Sequence, residues 1–126
     1  MLIGELATRA GTSARTLRYY EQQGLVRASR DARGYRSYDD GELRVVREIR
    51  TLLDAGFGLD DIRPFVDCLR AGNDAGHVCP DSVLVLRRRL AEVDGALDQL
   101  HTLRDRLRTQ LADAIEERTI RCQMTC

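Results

Sequence analysis

The sequence predicts a mainly α-helical chain. It reads as an N-terminal winged helix-turn-helix, a two-helix connector and one long C-terminal helix that pairs with another chain. Three observations predict this. Aromatic residues are 5% of the 126 and charged residues 32%, a balance that suits amphipathic helices better than a sheet sandwich. Apolar residues recur at three- and four-residue spacings through most of the chain, and at heptad spacing in its last third. Residues 25–38 break that period and are rich in Arg.

Ile3, Leu6, Ala7 and Ala10 fall at i, i+3, i+4 and i+7, one face of a short helix that Gly11 ends. Thr12 or Ser13 caps a second helix carrying Leu17 and Tyr20, stopped by Gly24 just past its C-cap. Two short helices around a three-residue turn with Gly make a helix-turn-helix pattern, one that ordinary α-hairpins share. In residues 25–38, Arg33-Gly34 marks a turn between two extended pieces, hence a small wing carrying four Arg and two Tyr.

Asp39 then opens a helix as its N-cap. Glu42 stands at N3, as in a capping box, and Tyr38 and Leu43 form the hydrophobic staple. Leu43, Val46, Ile49 and Leu53 are its buried face, and Gly56 closes it. Asp60 or Asp61 opens a further helix with Ile62, Phe65, Val66 and Leu69 as its apolar face and Pro64 near its first turn. Residues 71–79 (AGNDAGHVC) are a linker. Pro80 stands at N1 of the last helix, with Asp81 near the positive end of its dipole.

In heptads, Val83, Leu90, Leu97, Arg104 and Leu111 take the a positions, and Leu86, Val93, Leu100, Leu107 and Ala114 the d positions. Nine of these ten are apolar, which is a coiled-coil seam. From Pro80 to Glu117 the helix spans roughly 57 Å at ~1.5 Å per residue, so it needs a second copy as its partner, most simply a two-fold homodimer. Arg104 either sets the register or snorkels out of the seam, and its long stem favours snorkelling. The expected segments are 1–38 (head), 39–71 (connector), 72–79 (linker), 80–117 (dimerisation helix) and 118–126 (a Cys-containing tail).

Net charge is zero but unevenly spread. Residues 1–38 hold seven Arg against three acids, and residues 51–126 hold ten Arg against thirteen acids. A basic head on an acidic body points to a polyanion at the head. No apolar run approaches the ~20 residues of a membrane span, and no basic segment precedes an apolar one as in a secretory signal. A cytoplasmic location is therefore expected, with no membrane partner. In that reducing compartment the four cysteines (Cys68, Cys79, Cys122 and Cys126) are not expected to form structural disulfides. No C-x-x-C occurs, and the spacing fits no standard zinc module.

The head and connector also carry a specific set of motifs. Arg18-Tyr19-Tyr20-Glu21 is followed by Gly24-Leu25, then Arg30, then Gly34-Tyr35-Arg36-Ser37-Tyr38, then Ala55-Gly56-Phe57-Gly58-Leu59 with Ile62. In this order and spacing, residues 1–70 resemble the MerR family of bacterial transcription regulators, and the long helix and short tail complete the plan. The resemblance implies that the long helices pair as an antiparallel coiled coil. It implies double-stranded promoter DNA as a partner, bound at pseudo-palindromic sites, bent and underwound so that RNA polymerase can use it when an effector is present. Such regulation reads the deformability of DNA.

On this resemblance the second helix lies in the major groove and exposes Arg15, Thr16, Arg18 and Tyr19. Arg18 and Tyr19 match the family's Arg-Tyr pair, so DNA contact is carried over to both. Arg15 reaches either a guanine edge or a phosphate. In the wing, Arg36 and Tyr38 match contact positions and are expected to meet phosphates, while Arg30 and Arg33 fit phosphate contact or a solvated loop. Tyr20 is expected in the core, and Tyr35 is expected to pack the wing onto the helix.

Metal-sensing relatives place one Cys just before the dimer helix and others after it, and Cys79 matches the first. A thiol at a helix N-terminus has a lowered pKa and is more often thiolate. Antiparallel pairing would bring the tail of one chain, with Cys122 and Cys126, towards Cys79 of the other. Met124 would suit a soft ion such as Cu(I) or Hg(II). Only three residues separate Cys122 from Cys126, however, where those relatives bracket a longer loop. Three readings stay open: a thiolate-bound metal ion as cofactor, thiol redox or electrophile chemistry at the same cysteines, and no cofactor at all. Cys68 is expected as core packing.

Enzyme function is not expected, because His77 and His101 have no nucleophile and orienting acid at recognisable spacing. A coiled-coil interaction module without DNA binding is the rival class. It accounts for residues 80–117 and leaves the wing and the basic head unexplained.

Overall fold

A computed structural model of the chain describes residues 1–125. Its elements are α1 (Ile3–Ala10), α2 (Ala14–Gln22), β1 (Ser29–Arg30), β2 (Arg36–Ser37), α3 (Asp40–Asp54), α4 (Leu59–Arg70) and α5 (Pro80–Thr125). The chain divides into two compact units, one running from Met1 to Leu86 and one from Arg87 on.

In the first unit α1 packs on α2 and α3, and α3 packs on α4. Leu6, Leu17, Val46, Ile49, Ile62 and Phe65 are at most 1% exposed and form the centre of the core. Each such side chain contributes about 1.5–3 kcal/mol by leaving water. Phe57 and Phe65 meet edge to face with ring centroids 5.9 Å apart.

Local signals set the helix ends. Ser13 caps α2 by accepting the Thr16 N–H at 3.1 Å, and Asp39 caps α3 by accepting the Glu42 N–H at 3.0 Å. Gly11 ends α1 at φ 69°, a backbone that side-chain-bearing residues avoid. A Cβ there would also lie 2.9 Å from Arg50 Nη1. Arg50, from α3, donates to the carbonyls of Ala10 and Gly11, placing a cation on the negative end of α1.

The expected capping box forms only by half. Glu42 does not return to Asp39. It is 7% exposed, and its carboxylate accepts both guanidinium arms of Arg70, at 2.6 and 3.1 Å, and the Arg27 N–H at 3.0 Å. Arg70 Nη2 also donates to the Leu25 carbonyl at 2.8 Å. One bidentate pair thus ties α3, α4 and the chain after α2 together.

Two boundaries differ from expectation. Helix α4 starts at Leu59 behind Gly58, so Asp60 and Asp61 sit in its first turn instead of capping it. Pro64 consequently lies inside α4 and offers no N–H to the Asp60 carbonyl. Helix α5 does not stop near Glu117. Residues 118–125 continue it, because no Gly or Pro follows Gly95 and Arg121 supports the turn by bonding Glu117 at 2.9 Å.

The linker also departs from expectation. Cys68 is buried as expected, but its sulfur is bonded to that of Cys79, with Cα atoms 5.8 Å apart. A disulfide was the outcome that the compartment argument disfavoured. The fold brings the two residues together regardless, because the linker doubles back from α4 to α5.

In the second unit α5 exposes its heptad leucines. Leu90 and Leu111 are each 62% exposed, and Val93, Leu97, Leu100 and Leu107 are exposed as well. Val83 is half-buried and Leu86 is exposed. An isolated helix does not keep such a row in water without a partner surface.

Candidate nucleic-acid interface

Helix α2 turns Leu17 and Tyr20 into the core and leaves Arg15, Arg18 and Tyr19 exposed. The 3.6-residue period places 15, 18 and 19 on one face. Thr16 is half-buried, with its hydroxyl 2.9 Å from that of Ser13, so it belongs as much to the cap as to the surface. Tyr20 is 5% exposed, and burial raises its hydroxyl pKa, so it stays neutral in the core as expected.

The wing is an antiparallel ribbon pairing Ser29 with Ser37 and Arg30 with Arg36. Asp31 organises its tip. Its Oδ1 accepts the N–H groups of Arg33 at 2.9 Å and Tyr35 at 3.0 Å, and its carbonyl accepts the Gly34 N–H at 3.0 Å. Arg30, on β1, donates from Nη1 to the Gly34 carbonyl at 2.7 Å and so braces the tip of the wing. Arg33 is exposed.

Glu21 ties this wing to α2. Its Oε2 accepts Arg36 Nη1 at 2.9 Å and the Tyr38 hydroxyl at 3.5 Å. Arg36 stays largely exposed and uses one of its five donors here, leaving the others for a ligand. Sequence reasoning quoted Glu21 within a motif but gave it no role. Asp31 was also missed, although Asp three residues before Gly is a turn signal.

Two tyrosines reverse their expected places. Tyr38 was expected to meet phosphate, but it is 2% exposed. Burial, with Glu21 beside it, raises its hydroxyl pKa, so it acts as a donor to that carboxylate and not as surface. Tyr38 closes the core beneath the wing, where the staple with Leu43 also needs it. Tyr35 was expected to pack the wing onto the helix, but it is 63% exposed and lies with Leu2 and Arg33 around an open hollow.

Residues 1–67 match the family model described as MerR HTH family regulatory protein. The chain belongs to the MerR family. A second model, MerR DNA binding, matches residues 43–110. Among MerR-type relatives, the transcriptional regulator HmrR of Sinorhizobium medicae is 35% identical over 109 residues, covering 82% of this chain and 72% of HmrR. ZntR of Escherichia coli is 33% identical over 113 residues, 89% of this chain and 78% of ZntR. The nodulation protein NolA of a Bradyrhizobium is 37% identical over 112 residues, but the chain spans only 43% of its length.

Solved structures agree. PbrR691 of Ralstonia metallidurans, solved with lead(II), superposes with TM-score 0.67 at 27% identity, covering 85% of this chain and 82% of its own. HiNmlR, a MerR regulator lacking the sensor domain and bound to promoter DNA, gives TM-score 0.57 at 26% identity, with 83% and 78% covered. The chain is thus a MerR-type DNA-binding transcription regulator.

The cysteines fit a metal poorly. Among the described residues no group of three or more His, Cys, Asp or Glu is placed to hold an ion. Cys79, expected as the thiolate of such a site, has its sulfur bonded to Cys68. Cys122 is exposed on α5 in the other unit, and Cys126 lies outside the described residues. While that bond holds, Cys79 offers no thiolate to a metal, and the tail donors expected beside it would come from a second chain. No described helix is long and apolar enough to cross a membrane.

Proposed function

We propose that the chain is a cytoplasmic, non-catalytic regulator that binds pseudo-palindromic promoter DNA as a homodimer. The observation that carries this is the exposed α2 face of Arg15, Arg18 and Tyr19, standing beside an Arg-bearing wing that Glu21 holds to the same helix. Helix α2 enters the major groove, where Arg15 reaches a guanine edge and Arg18 and Tyr19 meet the backbone, with Thr16 beside them. Arg33 and Arg36 grip phosphates from the wing. The α5 seam from Val83 to Leu111 pairs antiparallel with a second copy and sets two heads on one face of the DNA. Bending and untwisting the spacer between them makes the promoter fit for RNA polymerase. A relative was solved with lead(II), and a metal held by Cys79 of one chain and the tail cysteines of the other stays the expected alternative; no metal step enters this reading.

Binding to duplex DNA followed by anisotropy across salt concentrations tests the proposal. A steep loss of affinity with salt is expected, and a flat response would favour the interaction-module class. In the same assay Arg18→Ala is expected to weaken binding to all sequences alike and lower the salt slope by about one. Unchanged affinity and slope would remove Arg18 from the interface.

A further inference from the structure

The linker between α4 and α5 is held more firmly than its Gly-rich composition requires. Asn73 Nδ2 donates to the Cys68 carbonyl at 2.9 Å, and Arg44 donates to the Asp74 carbonyl at 2.6 Å. Ser82, fully buried, donates to the Gly76 carbonyl at 2.6 Å. Gly76 lies so close to α4 that a Cβ would stand 2.8 Å from the Phe65 carbonyl. None of these contacts uses a cysteine sulfur. Together they hold the Cys68 and Cys79 Cα atoms 5.8 Å apart, within the range that a disulfide spans.

The two cysteines are not equivalent. Cys68 is 2% exposed on the inner side of α4. Cys79 is half-buried, immediately before the first residue of the 46-residue α5, and its sulfur receives Asn73 Nδ2 at 3.3 Å. Cys79 is thus the sulfur that a small solute can reach, and Cys68 the one shielded behind it. A reachable thiol beside a buried second thiol is the arrangement of an attacking and a resolving cysteine. A groove of about 320 Å³ opens onto the pair. Asp60, Asp67 and Asp81 line it with Arg63, so it disfavours anionic oxidants and admits small neutral ones.

We infer that Cys68 and Cys79 are a reversible thiol-oxidation site whose substrate is a small neutral hydroperoxide. The Cys79 thiolate attacks the terminal peroxide oxygen. The O–O bond breaks, and the leaving alkoxide takes a proton and departs as alcohol (water for hydrogen peroxide). Cys79 becomes a sulfenic acid. The Cys68 sulfur then attacks the Cys79 sulfur, the S–O bond breaks, and hydroxide leaves as water with the Cys68 proton. Two thiols and one hydroperoxide thus give one disulfide, one alcohol and one water, with two electrons passing from sulfur to oxygen. A dithiol reductant reverses the bond by exchange. This pairing replaces the tail cysteines as the partner of Cys79.

The test uses the full chain, reduced by dithiothreitol without air, desalted and given equimolar hydrogen peroxide. Tryptic cleavage after Arg70 separates Cys68 (peptide 51–70) from Cys79 (peptide 71–87). The expected product joins these two peptides. In Cys68→Ser the intermediate is expected on Cys79 as a dimedone adduct, and Cys79→Ser is expected to lose thiols roughly tenfold more slowly. Three results would overturn the inference: peptide 71–87 joined to peptide 122–126, a Cys68–Cys79 bond that dithiothreitol does not open in the folded protein, or equal oxidation of Cys79→Ser. All are read by mass and do not depend on DNA binding.

Discussion

Leu97→Asp combined with Leu100→Asp is expected to turn the proposed homodimer into a monomer and remove stable promoter binding. Both leucines are exposed on α5 in one chain and stand at a and d of the seam. Burying each against a second copy is worth about 1.5–3 kcal/mol, and the seam presents both from each chain. Aspartate forfeits that and adds unpaired charge to an apolar surface, which costs more still. A monomer keeps its head but engages one half-site at a time, losing the gain from two linked contacts. Native mass spectrometry reads the stoichiometry, and circular dichroism checks that the helices of the first unit persist. A variant that stays dimeric would show that the chains pair elsewhere.

The second large effect concerns stability. Arg70→Ala is expected to destabilise the first unit by about 3 kcal/mol, on the order of 15 °C in Tm. It strands the buried Glu42 carboxylate, which then has only the Arg27 N–H at 3.0 Å, and it frees the Leu25 carbonyl that Arg70 holds at 2.8 Å. The penalty comes from the charge left behind, not from the worth of the pair. Arg70→Ala with Glu42→Ala is therefore expected to cost less than the two single changes added together. Thermal unfolding of the three variants checks this. Additive losses would mean that the two residues act separately.

These effects trace which parts of the molecule local sequence reveals. The end of α1 and the starts of α2 and α3 were legible because their causes sit within four residues. Ser13 and Asp39 have the right side chains before apolar periods, and Gly11 stands where α1 must turn. The wing was legible from Arg33-Gly34, and the exposed apolar residues of α5 from its heptads. What escaped depends on chain segments that are far apart in sequence. Glu42 leaves its capping box because Arg70, 28 residues on, reaches it. Tyr38 looks like a contact in a linear motif, but Glu21, 17 residues earlier, draws its hydroxyl inward. Cys79 meets Cys68 because a loop folds back, which no spacing rule states. Pro64 misled by position: once Gly58 caps α4, the helix begins early enough to enclose it.

The central claim is that two identical heads, set apart by paired α5 helices, read one DNA site. Selection from a random duplex library by the full chain, followed by sequencing of the bound fraction, tests it most directly. The account predicts enrichment of an inverted repeat with fixed spacing between its halves, lost when Leu97 and Leu100 carry Asp. Enrichment of one unrepeated half-site, or no enriched sequence at all, would contradict it.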